Sequence, residues 1–186
     1  MLYHCSFEIV EKFVPRIPMF RAPGEDGSIK RICLAESIEQ AVTAMSEGGN
    51  ALLGMLFCKE IFTPILHVYM CKIGKKFIPP EKLEEESLVG DASATREWWA
   101  LEPPHFQHRI LQIDSADTVE KTDVFGRKVI AVLKIKFQEL TDIPAFTPES
   151  FLEKYLPEIK QKYGVRKILA EVWNARKEIA YGKEKI

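Results

Sequence analysis

No run of about 18 consecutive apolar residues occurs in this chain, so no membrane-spanning helix is expected. The longest apolar-rich stretch, Ala51 to Cys58, is too short. The opening residues Met1-Leu2-Tyr3-His4-Cys5-Ser6 have no basic region ahead of an apolar one, and no secretory signal is read there. Cysteine is scarce, and none of the four is spaced as C-x-x-C. Cys5, Cys33, Cys58 and Cys71 each sit among apolar neighbours. They read as reduced, buried thiols of a cytoplasmic protein, and no zinc site is expected. An excess of one charge is also missing. A formal net charge of −1 gives no global field toward nucleic acid or an anionic membrane, though a local basic patch stays open.

Several motifs are absent too. There is no G-x-x-x-x-G-K-[ST], no G-x-G-x-x-G and no H-E-x-x-H. There is no G-x-S-x-G nucleophile elbow. These absences argue against P-loop hydrolysis, Rossmann dehydrogenation and zinc proteolysis. The histidines His4, His67, His105 and His108 form no metal-binding pattern, so no metal ligand is assigned. His105 and His108 fall in a proline-bounded turn, and His67 reads as a hydrogen-bonded core residue inside an apolar strand.

What is present is ordinary globular composition. Hydrophobic residues make up 46% and charged residues 28%, which excludes disorder over most of the length. The chain reads as an α+β domain over 1–145 with a C-terminal helical segment over 146–186 packed on it. Leu2 to Ser6 forms a first strand. The prolines of Val14-Pro15-Arg16-Ile17-Pro18 forbid helix there. Ile29 to Ala35 is a strand candidate. Ser37-Ile-Glu-Gln40 is a capping box opening a helix with Ile38, Ala41, Val42 and Met45 on one face, expected to stop at Gly48-Gly49. Pro64 to Ile73 reads as a central strand. The acids from Glu81 to Glu86 read as a solvated helix face.

Phe106 to Ile113 and Val129 to Phe137 are further strands, joined by a hairpin-like link from Thr118 to Lys128 that contains Phe125-Gly126. Thr147-Pro148-Glu149 starts a helix whose face is Phe151, Leu152, Tyr155 and Ile159, with a kink at Pro157 and an end at Gly164. A helical period follows at Val165, Ile168, Leu169, Val172 and Trp173, with a strand as the weaker alternative.

Three separated pieces are candidates for chemistry. The first is Leu2-Tyr3-His4-Cys5-Ser6. The second is the cation cluster Arg16, Arg21, Lys30 and Arg31. Its guanidinium forks match diphosphate oxygens, but they can equally pair with Glu25, Asp26 and Glu36. The third is Glu97, followed by Trp98 and Trp99 and preceded by Asp91, Thr95 and Arg96. A carboxylate at the mouth of a buried strand can be oriented by its neighbours and still reach a ligand.

The order of these pieces resembles the ADP-ribosyltransferase fold. Leu2-Tyr-His-Cys-Ser6 is similar to that family's first strand, and Arg31-Ile-Cys-Leu-Ala-Glu-Ser37 to its second. Pro64-Ile-Leu-His-Val-Tyr-Met is similar to its central strand, and Arg96-Glu-Trp-Trp-Ala-Leu101 to its glutamate strand. The likeness covers about residues 1–115. Cys5 stands where the family has glycine, no stacking tyrosine is found in the second piece, and Thr95 replaces the first acid or amide of E-x-E or Q-x-E. The last departure argues against arginine-directed transfer.

The resemblance implies a mixed, mostly antiparallel split sheet with helices, NAD as cofactor, and a cleft between two sheets. It implies His4 on a ribose hydroxyl, Ser37 near nicotinamide, and Arg16, Arg21 and Arg31 on the diphosphate. Glu97 would stabilise the oxocarbenium-like transition state. The expected activity is mono-ADP-ribosyl transfer by a bacterial or phage protein to a protein or nucleic-acid acceptor, with a homodimer also open. Two other readings compete. One is a non-catalytic, phage-like or accessory protein that uses the fold to bind a protein partner. The other is an RNA 2′-phosphotransferase, which needs a broader basic face than this charge suggests.

Overall fold

The computed structural model describes residues 1–19, 21, 24–123 and 126–181. Alternating and β-branched sequence forms seven strands: β1 (Leu2–Ser6), β2 (Ile32–Ala35), β3 (Ile65–Cys71), β4 (Phe77–Ile78), β5 (Glu97–Ala100), β6 (Gln107–Thr122) and β7 (Lys128–Leu140). They form one sheet in the order β4-β5-β2-β1-β3-β6-β7, and every pairing is antiparallel. The architecture is therefore α+β, as expected, but the ladder is continuous rather than split.

The long β6–β7 ribbon accounts for this. Register shifts at Ile113/Ser115 and Asp117/Thr118 bend it without breaking it. Helix α1 (Ile38–Ala44) then closes the free edge of β7. Thr43 Oγ1 accepts from the Val132 N–H at 2.9 Å, and Glu39 Oε1 accepts from the Ile135 N–H at 3.3 Å. Polar side chains on a helix thus satisfy edge groups that would otherwise invite another strand.

Ser37 caps α1 as its sequence predicts, accepting from the Gln40 N–H at 3.1 Å. The glycines that follow behave differently. Gly48-Gly49 opens a second helix, α2 (Gly48–Phe57), instead of ending the first for good. A Cβ on Gly49 would stand 2.2 Å from the Ile130 carbonyl oxygen, and one on Gly54 would stand 2.6 Å from that of Leu169. These glycines are contact surface.

Short helices α3 (Pro80–Glu85) and α4 (Ala92–Thr95) precede β5. At the C-terminal end, Thr147 caps α5 (Pro148–Tyr155) with Ser150 as its capping-box partner, as Thr147-Pro148-Glu149 foretells. Helix α6 (Pro157–Tyr181) includes the span where a strand was the alternative. Gly164, non-helical at φ 70 and ψ 165, ends its first helical run as expected, and a second run resumes directly beyond it. The side chains of Ile159 and Trp173, and all of Phe125, lie outside the described residues.

Three apolar clusters fill the fold. The largest lies between the sheet and α1, α2 and α6, and includes Leu52, Met55, Leu66, Leu111, Leu152 and Leu169. Residues of the C-terminal segment therefore belong to the main core. On the other sheet face, Leu2, Ile32, Leu34, Cys71 and Ala100 pack with Phe13, Trp98 and Phe106. Leu83, Val89, Ala92 and Trp99 form the third cluster, beside α3 and α4. Among the described residues, no helix is long and apolar enough to cross a membrane.

Candidate functional site

Strand pleating decides which side chains can meet. In the β1–β2–β5 ladder, Tyr3 is opposite Ala35, and Ala35 is opposite Glu97. Successive residues of a strand point to opposite faces. Glu97 therefore shares a face with Cys33 and Trp99, whereas His4 shares the other with Leu2, Leu34 and Trp98. The histidine and the acid, expected to face each other across a cleft, lie on opposite sides of one sheet.

Glu97 is enclosed by its own neighbours. Trp99 Nε1 donates to Glu97 Oε1 at 2.8 Å, and the Cys33 thiol donates to the same carboxylate. Burial pushes the Glu97 carboxyl above the usual range. The negative charge of Glu25 adds to this, while Trp99, Cys33 and the Arg31 cation oppose it. The Cys33 thiol is itself pushed up, first by burial and then by the charge of Glu97. A thiol held in this way is inert as a nucleophile.

Arg31, expected on a diphosphate, is a core residue, only 1% exposed. Its Nη1 donates to the Asp26 carbonyl at 3.0 Å and to that of Ile29 at 2.9 Å, and its Nη2 pairs with Glu25. Its Nε is buried and has no hydrogen-bond partner. A guanidinium anchored at three points is not free to reach a ligand. The neighbouring loop carboxylate Asp26 is held low by the Ile29 and Ser28 backbone N–H groups it accepts.

The other expected ligands are dispersed. The Ser37 hydroxyl is engaged in its helix cap. Arg21 is exposed and donates to the Pro18 carbonyl at 3.1 Å. Arg16 is exposed, and its backbone exchanges hydrogen bonds of 3.1 and 3.0 Å with that of Arg31. Arg16 lies near His4, but the side chains of Ser37 and Arg31 are engaged within the fold.

His4 lies in an aromatic nest. Its Nδ1 is 3.1 Å from the Cys33 carbonyl, and Phe13 meets its ring edge-on at 5.2 Å. Phe13 also packs on Tyr69 at 4.9 Å and on Phe106 at 4.1 Å. Burial holds the His4 imidazole below its ordinary value. The Cys33 carbonyl opposes this, and the Arg166 and Arg16 cations add to it. Comparison with protein-family models, with curated proteins and with solved structures finds no match. The site therefore rests on its own geometry.

Two arrangements escape sequence reading. His108 belongs to β6, not to a turn, and faces Tyr69 across the ladder, with rings stacked at 4.5 Å and 8°. Its Nε2 is 3.0 Å from His67 Nδ1. His67 is a hydrogen-bonded core residue, as its apolar strand predicts. The second arrangement centres on Arg96, at φ 56. Its fork grips Glu36 at 2.9 and 2.7 Å and Glu81 at 3.0 Å, while Trp98 Nε1 donates to Glu36 at 3.0 Å. This joins the β2–α1 turn to the α4–β5 turn.

Two open depressions lie away from all of these groups. One is lined by Tyr155 to Glu158. The other lies between Lys59 and the bulge at Asp114. No group of three or more His, Cys, Asp or Glu side chains suited to a metal ion occurs among the described residues.

Beyond Phe7, which is buried in the main core, the chain as far as Met19 passes the His4 face as an irregular strap. The Val10 N–H donates to the Tyr69 hydroxyl at 2.7 Å, Phe13 plugs the aromatic nest, and Arg16 bridges to Arg31. Along the strap, exposed aliphatic side chains alternate with the exposed charges of Glu11, Lys12 and Arg16. Ile9 is 48% exposed, Val14 55%, Ile17 38% and Met19 87%.

Proposed function

We propose that this chain is a binding protein that engages a protein partner through the strap over its His4 face, and that it does not transfer ADP-ribose. The observation that carries this is the set of exposed aliphatic side chains Ile9, Val14, Ile17 and Met19 on one short irregular segment. Soluble proteins seldom leave grouped apolar surface uncovered unless something binds it. Phe13 and the Tyr69 hydroxyl fix the inner side of the strap, so the outer side is presented at little ordering cost.

A second reading, NAD-dependent ADP-ribosyl transfer, draws on one feature. Glu97 is a carboxyl of raised pKa at the start of a strand, next to a tryptophan, and perturbed acids concentrate at working sites. One experiment separates the two. The full chain is heated with and without about 1 mM NAD, and a mixed lysate is scanned by mass spectrometry for added ADP-ribose. The binding reading expects no shift in Tm and no modified protein. A clear rise in Tm, with modification lost in Glu97→Gln, would establish transfer instead.

A further inference from the structure

The strap carries a pattern that identifies the kind of surface it fits. Val14-Pro15 and Ile17-Pro18 are two apolar-proline pairs separated by Arg16. Each proline fixes its own φ and pushes the residue before it into the extended region, so Val14 to Pro18 is held extended by its covalent structure. In a polyproline-type helix of about three residues per turn, Val14 aligns with Ile17 and Pro15 with Pro18.

Strand addition is a poor use of this segment. The Arg16 N–H and carbonyl are both taken by Arg31. Of the neighbouring positions, Pro15 and Pro18 have no N–H to give. An incoming strand would find almost no donors, so recognition must run through side chains. Val14 and Ile17 are both more than a third exposed. Arg16 is exposed between them and makes no ion pair among the described residues. The half-buried cation Arg166 lies close enough to Arg16 for their charges to interact. Glu8 also acts on Arg166, so the exposed charge at the strap's centre is that of Arg16 itself.

We propose that Val14 to Pro18 is a docking ligand for a partner domain of the proline-recognition type, with an aromatic-lined groove and carboxylates on its rim. Val14 and Ile17, on one open edge, fill the slots between the groove's rings, Arg16 on the adjacent open edge meets the rim acids, and the half-buried prolines hold the segment extended. This rests on the partner-binding reading and names the partner's chemistry.

The test uses the intact chain, immobilised, with an isolated SH3 domain of acidic rim as the probe. Saturable binding is expected. It should be lost in the double variant Pro15→Ala/Pro18→Ala and weakened roughly tenfold or more in Arg16→Glu. Matching circular dichroism would show that these changes leave the fold intact. Absence of binding, or binding unchanged in the variants, overturns the groove proposal. A photo-crosslinking residue placed at Ile17, and separately at Tyr155, tells the two levels apart in cells. An adduct from Ile17 mapping to a partner's aromatic groove supports the proposal. An adduct from Ile17 mapping to a partner surface with no aromatic groove overturns it while partner binding through the strap stands, and an adduct from Tyr155 alone, or from neither position, overturns both.

Discussion

The guanidinium carbon of Arg31 stands 3.7 Å above the ring of Trp99. These residues lie on paired strand segments, and the cation is sealed between the indole and the Glu25 carboxylate. Removing one partner of a buried pair leaves the other charge stranded, at a cost of about 3–5 kcal/mol. Arg31→Ala should therefore lower Tm by roughly 10 °C in a chain of this size. Arg31→Lys should recover little, because one ammonium cannot reproduce the fork to Asp26 and Ile29. Thermal unfolding followed by circular dichroism checks both variants. A fall of less than about 2 °C in Arg31→Ala would show that the cation is solvated.

Arg31 also shows where sequence reading stops. An arginine in a loop of mixed charge can serve a ligand or an internal pair, and only the packing of Trp99 against it decides. Local chemistry was legible where it is self-contained. Ser37 with Gln40, and Thr147 with Pro148, mark their helices because the cap is made within one turn. That β1 and β5 are strands could be read too, but not their register. Register determines whether His4 and Glu97 share a face. The strand over Phe106 to Ile113 was legible, but the prolines before it drew His108 into a turn, and only the register with β3 sets its ring on Tyr69.

Histidine burial predicts an acid-sensitive fold. Burial lowers the His67 imidazole from 6.5 to about 4, with the His108 ring adding to the effect, and His108 and His4 are lowered in the same direction. The unfolded chain takes up these protons near pH 6.5 and the folded one does not. Stability from His67 is thus complete above about pH 6.5 and is lost as pH falls toward 4, by roughly 3 kcal/mol. Urea unfolding at pH 7 and pH 4.5 should show a marked drop for the native chain. His67→Phe should show a clearly smaller one. Parallel drops in the two proteins would assign the acid sensitivity elsewhere.

The strap and the C-terminal helix share one hydrogen bond. Glu8 Oε1 accepts from the Val165 N–H at 3.0 Å, where α6 resumes beyond Gly164. An acid there satisfies an open donor and favours the helix dipole. Glu8→Ala should cost about 1 kcal/mol. It should also speed amide exchange in the turn after Gly164 more than in β3. Glu8→Gln keeps the acceptor and loses the charge, so it should fall between the two. Exchange measured by mass spectrometry on peptides spanning that turn is the check. Equal protection in all three proteins would mean that the contact does not hold the helix.

Two glycines in α2 provide a test with opposing terms. Alanine is the better helix former by about 1 kcal/mol, so Gly49→Ala and Gly54→Ala ought to stabilise an isolated helix. In the fold, however, each new methyl meets a backbone carbonyl oxygen, at 2.2 Å from Ile130 and 2.6 Å from Leu169. Backbone cannot swing aside as a side chain can. Overpacking typically costs 1–3 kcal/mol or more, which outweighs the propensity gain. Both variants should therefore lose stability in urea, with Gly49→Ala the worse. Gly90→Ala is the control, since nothing lies within 4 Å of its added methyl. A neutral result at Gly90 with losses at Gly49 and Gly54 would place α2 in direct backbone contact with β7 and α6. Stabilisation at all three would show that these helices pack at ordinary distance and that the glycines serve only the turn.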